Sequence, residues 1–242
     1  MGAAFYALDG NILAVDTKDI LNVNDNKFAK PDPSDEKLPA GDFYGMDTSN
    51  VAEVTPGVGI GFVIFRNATG GDEVDRGSGI IRVTLGTTVP IATRVGPLIT
   101  GADGIQVGIT SILAAEGYIY VYTNYGPNGL MVGRAKCASA FSASSYKFRT
   151  TFGSWVTGIP TTSNMNNYGS YMFFVGGYGY DMSFHTSDAP YGPWSDEYRV
   201  AEAVGYGIDV HLEFSPDGDH SVLYVSSGAA DGITMRKIEF RY

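Results

Sequence analysis

The chain has 242 residues and a formal net charge of -10 at pH 7, with 26 Asp and Glu against 16 Lys and Arg. That balance opposes binding to a phosphate backbone, which relies on Lys and Arg clusters that release counterions, so no nucleic-acid partner is expected. No run approaches the roughly 18 to 20 apolar residues that cross a bilayer, and Met1-Gly2-Ala3-Ala4-Phe5 lacks a basic segment followed by an apolar one, which predicts a soluble chain without a membrane partner.

Hydrophobic residues make up 44% and aromatic ones 13%, with Gly 32 and Tyr 16, a composition that suits a β-rich core cut by many turns. A single domain over residues 1–242 is the expectation at this length. The lone Cys137 rules out an internal disulfide and any cysteine-based metal site. It reads as a small apolar residue at a strand end.

In chain order, Asp9-Gly10 is a turn leading into a first apolar strand at 11–15. Residues 28–42, with Pro31, Pro33, Pro39 and many charges, read as a loop. Pro56-Gly57-Val58-Gly59 is a turn before the strand 60–65, and a second strand follows at 79–84. Asn67-Ala68-Thr69 is an N-glycosylation acceptor triplet, which fits a secreted protein. Residues 104–109 are a further strand candidate, then Ala115-Glu116-Gly117 turns the chain into 118–122, with a partner at 130–135. The same pattern returns as 171–175 with 181–186, and as 207–212, the turn Pro216-Asp217-Gly218-Asp219, and 221–225 with 233–238.

Five such runs recur at spacings of roughly 50 to 57 residues, the period of a propeller blade. Antiparallel units of three to four strands cannot bury both faces alone, so an all-β five-bladed propeller is predicted, with a large β-sandwich as the competitor. The glycine-rich stretches around Gly57 and Gly176 precede no helix and read as turns, not phosphate cradles.

At Ser187-Asp188-Ala189-Pro190-Tyr191-Gly192-Pro193-Trp194-Ser195, after His185-Thr186, the sequence resembles the outer hairpin of five-bladed propellers related to arabinan- and xylan-acting glycoside hydrolases, and an allied branch of secreted microbial and fungal propellers. Tyr118 to Tyr122 followed by Val132-Gly133-Arg134-Ala135, and Tyr206-Gly207 to His211 followed by Ser215-Pro216-Asp217-Gly218, fit the same layout, so the resemblance covers about the last 140 residues. It implies a ligand site where innermost strands meet at the mouth of a central channel. Gly192-Pro193-Trp194 itself has a structural role without any ligand: a turn, a fixed φ and a packed aromatic anchor.

On or just before the inner strands stand Asp47, Asn50, Asp103, Gln106, Trp155, Asn164, Asp209, His211 and Glu213. Asp209 and His211 alternate and share a face. Glycoside hydrolysis needs two carboxyl groups about 5 to 10 Å apart, and Asp47 with Asp209 or Glu213 could supply them. The resemblance implies a general-acid Glu on an inner strand in the middle of the ring, and 104–113 and 156–165 contain none. A lyase would instead use His211 as base beside Tyr206, Tyr44 or Arg94. Asp47, Asp209 and His211 are therefore the catalytic candidates, and Asn50, Asp103, Gln106, Trp155, Asn164 and Glu213 the ligand-binding ones. An acidic channel could hold Ca²⁺ through Asp oxygens, whereas three scattered His residues do not build a zinc site. The expected partner is a carbohydrate or another small polar ligand, acted on or only bound; a rigid protein-interaction scaffold is the alternative reading.

Overall fold

The computed structural model of the protein describes residues 7–8, 11–15, 43–69, 72–85, 90–102, 104–124, 130–161, 182–201, 206–211, 214, 221–229 and 232–240. Among these residues the regular structure is β, with two single-turn 3-10 helices at Cys137–Ser139 and Ala143–Ser145, and no helix is long and apolar enough to cross a membrane. Among the described residues the strands form five antiparallel sheets, each built from consecutive strands. The first pairs β1 (Ala7–Leu8) with β2 (Asn11–Val15). The second contains β3 (Phe43–Thr48), β4 (Ala52–Thr55), β5 (Val58–Thr69), β6 (Asp72–Thr84) and β7 (Ile91–Arg94), in the order β3-β5-β6-β7 with β4 also on β5. The third runs β12-β11-β10-β9-β8, from β8 (Ser111–Ala115), β9 (Tyr118–Asn124), β10 (Leu130–Lys136), β11 (Lys147–Arg149) and β12 (Trp155–Thr157). The fourth pairs β13 (Met182–Phe184) with β14 (Tyr198–Ala201). The fifth is β15 (Tyr206–His211), β16 (Val222–Ala229) and β17 (Gly232–Glu239).

The predicted hairpins are the backbone of this arrangement. β5 with β6, β9 with β10 and β16 with β17 correspond to the apolar runs and their followers. The Ala115-Glu116-Gly117 turn joins β8 to β9 with positive φ at both central residues, 53° at Glu116 and 77° at Gly117, the geometry that matches the twist of a two-residue hairpin. The second and third sheets each hold five strands instead of three to four. Their extra members, such as β11 and β12 at three residues each, are too short to show an alternation. Residues 104–109, read from sequence as a strand, are instead a turn-rich loop in which only Gly104 makes a bridge, to Thr161. The runs at 28–42 and 171–175 lie outside the described residues.

The chain divides into two compact units. The first comprises Met1–Gly2, Lys27–Phe173 and Ser187–Trp194, and thus holds the second and third sheets. Alternation along β9 sends Ile119 and Val121 to one face and Tyr120 and Tyr122 to the other, and all four are buried. The Ile119 face joins Ile60, Phe62 and Ile80 of the second sheet with Ile112, Met131 and Phe148 of the third, and with Tyr146 just before β11, in one continuous core. Tyr146 is fully buried, meets the Phe62 ring edge-on at 5.9 Å and donates its hydroxyl to Ala140 O at 2.8 Å. The second unit comprises Ala3–Asn26, Phe174–Thr186 and Ser195–Tyr242, holding the first, fourth and fifth sheets. Its core centres on Met182 and Val225 with Phe184, Val200, Val210 and Ile238, and β2 lies beside β17.

Burial raises the pKa of both Tyr146 and Tyr122 well above the ordinary tyrosine value, because the phenolate would lose its hydration. The native state therefore keeps both protons where the unfolded chain releases them. Below about pH 10 neither state ionises and these groups leave stability flat; above it the unfolded state binds fewer protons and stability falls, by up to about 1.4 kcal/mol per pH unit for each tyrosine. Urea titrations between pH 8 and pH 11 should show the midpoint dropping only in the upper part of that range. Tyr146→Phe should shallow the drop.

Candidate functional site

Four segments of the first unit, β3, β5, β6 and the loop after β7, deliver polar groups to one place. Asp47 lies on β3 opposite Ile64, and Arg66 follows two residues later on β5, so both side chains share a face of the second sheet. Opposite Arg66, a bulge decides which residue of β6 arrives. Phe65 pairs with Gly77, but Arg66 pairs with Asp75, so Arg76 drops out of register. A regular ladder would have set Arg76 against Arg66, like charge against like. The bulge depends on Gly77, whose φ is 128° and where a Cβ would lie 1.9 Å from Thr100 O.

Arg66 bridges the two carboxylates, with Nη1 2.8 Å from Asp47 Oδ2 and Nε 2.8 Å from Asp75 Oδ1. Gln106 then donates from Nε2 to Asp75 Oδ2 at 2.7 Å. Gln106 reaches this point because the buried Ser78 shapes the loop that carries it. Its backbone N–H donates to Thr100 Oγ1, its hydroxyl donates to Ile105 O, and its Oγ accepts from Val107 N–H at 3.1 Å. The four side chains form a chain from Asp47 through Arg66 and Asp75 to Gln106. Side-chain exposure of 44% at Asp47, 31% at Arg66 and 40% at Asp75 leaves the cluster open to solvent. Ion pairs at such exposure contribute only about 0 to 1 kcal/mol each, so the cluster is poorly explained as a stability device.

Asp47 and Gln106 are thus linked through Arg66 and Asp75. Arg66 and Asp75 complete the group, and nothing in the strand pattern marks them, because the bulge inverts the parity of β6. Asn50, Trp155 and Arg94, in the same unit, make other contacts. Asn50 has its amide engaged with the backbone of Ile112, donating from Nδ2 to the carbonyl and accepting at Oδ1 from the N–H, both at 2.8 Å. The amide thus links the loop after β3 to β8. Trp155 sits on β12 at the edge of the third sheet, not on an inner strand of a fourth. Its ring lies 4.0 Å from the Arg134 guanidinium and edge-on to Tyr191, so it is packed on both counts. Tyr191 and Trp194 lie with it against Tyr120, Tyr122, Leu130 and Val132, and Pro190 O accepts from the Tyr122 hydroxyl at 2.6 Å, which supports the anchoring role of Gly192-Pro193-Trp194. Arg94 pairs with Ile81 on the opposite face of the second sheet from Asp47 and lies over Gly79.

Asp209 and His211 belong to the second unit, on β15, the first strand of its sheet. His211 Nε2 is 2.8 Å from Ser226 Oγ, and its ring stacks on Phe214 at 5.4 Å. Asp103, Asn164 and Glu213 lie outside the described residues, as does the side chain of Asp209. Among the described residues no group of three or more His, Cys, Asp or Glu is placed to hold a metal ion. Between Asp47 and Asp75 the positive charge is supplied by Arg66.

No protein-family model matches the chain, and no curated protein does. Among solved structures, the chain is similar to a "putative hydrolase" from Bacteroides ovatus, at 16% identity and a TM-score of 0.53 over 76% of this chain and 54% of that one. The likeness is one of fold, and the chain spans about half the length of that structure.

Proposed function

We propose that this chain is a five-bladed β-propeller that binds carbohydrate through the cluster of Asp47, Arg66, Asp75 and Gln106. In favour of a ring are five antiparallel sheets in chain order, and a second unit that groups the first sheet with the fourth and fifth and sets β2 beside β17. The observation that carries the binding reading is the convergence of two carboxylates, a guanidinium and an amide from four segments into one solvent-accessible group. Sugar hydroxyls both donate and accept, and planar groups of this kind satisfy them in pairs. The carboxylate of Asp47 and the amide oxygen of Gln106 are the acceptors a ligand hydroxyl would use. The Bacteroides structure carries a hydrolase name, and catalysis by the same cluster would make Asp47 and Asp75 its carboxyl pair.

A glycan array of plant and microbial cell-wall oligosaccharides should yield a ligand. Calorimetry with Asp47→Asn and Gln106→Ala should then show affinity lowered by about 1 to 3 kcal/mol each, the scale of a lost polar contact in a binding site. A reducing-sugar assay on the unmodified protein separates binding from hydrolysis. Ligands that bind both variants as tightly as the parent would remove the cluster from the site, and an array without a ligand would favour the scaffold alternative.

A further inference from the structure

The second unit carries a different pair of groups, independent of the sugar-binding reading. We propose that Ser226 and His211 form a nucleophile and base able to cleave a carboxylic ester by acyl transfer. Ser226 lies in the interior of β16 and His211 ends β15; their contact is diagonal, since His211 pairs with Tyr224 and Asp209 with Ser226. The 2.8 Å separation of His211 Nε2 and Ser226 Oγ is within the range required for direct proton transfer. Both residues are half-buried, which leaves the pair within reach of a small ester. The imidazole is also fixed in orientation: Phe214 stacks on it at an interplanar angle of 24°, and Phe214 is itself held edge-on by Tyr224. A serine is a weak nucleophile unless a positioned base takes its proton, and this geometry supplies one.

With the ring proton on Nδ1, Nε2 accepts the Ser226 proton as Oγ bonds to the ester carbonyl carbon. Collapse of the tetrahedral adduct breaks the bond to the alcohol oxygen, which leaves with the proton held on Nε2. Water then adds to the acyl-serine, giving one proton to Nε2, and the carboxylic acid departs as that proton returns to Ser226 Oγ. Short-chain acyl esters, the size class of an O-acetyl group, are the substrates this half-buried pair would admit.

The test uses the whole chain with p-nitrophenyl acetate and a fluorophosphonate probe, followed by peptide mass mapping. Stoichiometric probe addition at Ser226 and acetate release lowered at least about a hundredfold in both Ser226→Ala and His211→Gln are expected. The His211→Gln amide retains a polar partner for the hydroxyl, so loss in that variant, with an unchanged circular dichroism spectrum, isolates the base from folding. Mapping on the parent protein needs no variant at all. Adducts confined to Lys and Tyr, with Ser226 unmodified, or rates equal in parent and His211→Gln, would overturn the proposal and leave the contact as a structural hydrogen bond.

Discussion

A valine at position 77 should cost about 3 to 5 kcal/mol, among the largest effects of a single substitution in this protein. The backbone there has φ of 128°, which an L side chain rarely adopts, and the new Cβ would start 1.9 Å from Thr100 O. Thr100 cannot yield cheaply, since its N–H donates to Ser78 O and its hydroxyl accepts from Ser78 N–H. For a chain of this size the melting temperature should fall by roughly 6 to 20 °C. Gly57→Ala is the control: φ is 76° but nothing lies within 4 Å of the added carbon, so only the backbone preference of about 1 to 2 kcal/mol is lost. Equal melting temperatures for the two variants would show that the Thr100 backbone moves aside.

Truncating Tyr146 to alanine should cost a further measure of the same size, about 3 to 5 kcal/mol by urea unfolding. The ring is fully buried between the second and third sheets, so its removal leaves a cavity lined by Phe62 and its neighbours. Tyr146→Phe keeps the ring but strands Ala140 O, and should cost about 1 to 3 kcal/mol. The ratio of the two losses separates packing from hydrogen bonding at this position. A loss below about 1 kcal/mol for the alanine variant would mean that the core closes over the gap.

How far the sequence foretells this structure depends on whether neighbours along the chain or across it decide the outcome. β5, β9 and β16 each contain an apolar and aromatic run whose partner strand follows next in the chain, so the pattern marks the hairpins. Asp47 stands on the first strand of its sheet, a position the strand pattern marks, and the loop after β7 carries Gln106 to Asp75 on β6. Residues 104–109 alternate like a strand yet turn, because Ser78, some thirty positions upstream, satisfies the N–H of Val107 and the C=O of Ile105 that a ladder would have used. Arg66 and Asp75 escape notice for a related reason. The single extra residue at Arg76 exchanges the two faces of β6, and no local pattern announces a bulge whose glycine is set by contact with Thr100. The packing of Trp155 under Arg134 and Tyr191 likewise depends on residues distant in sequence.

The Asn50 amide has a consequence beyond holding β8 in place. β8 is the last strand of its sheet, and the N–H and C=O of Ile112 are the outward groups that a strand from another molecule would seek. By donating to one and accepting from the other, a side chain occupies the pairing site as a neighbouring strand would. At high concentration the protein is thereby guarded against edge-to-edge assembly along β8. Asn50→Ala would expose that edge while β8 keeps its inner partner β9, so the first sign of its loss would be slow oligomer growth in light scattering, ahead of any change in the melting temperature.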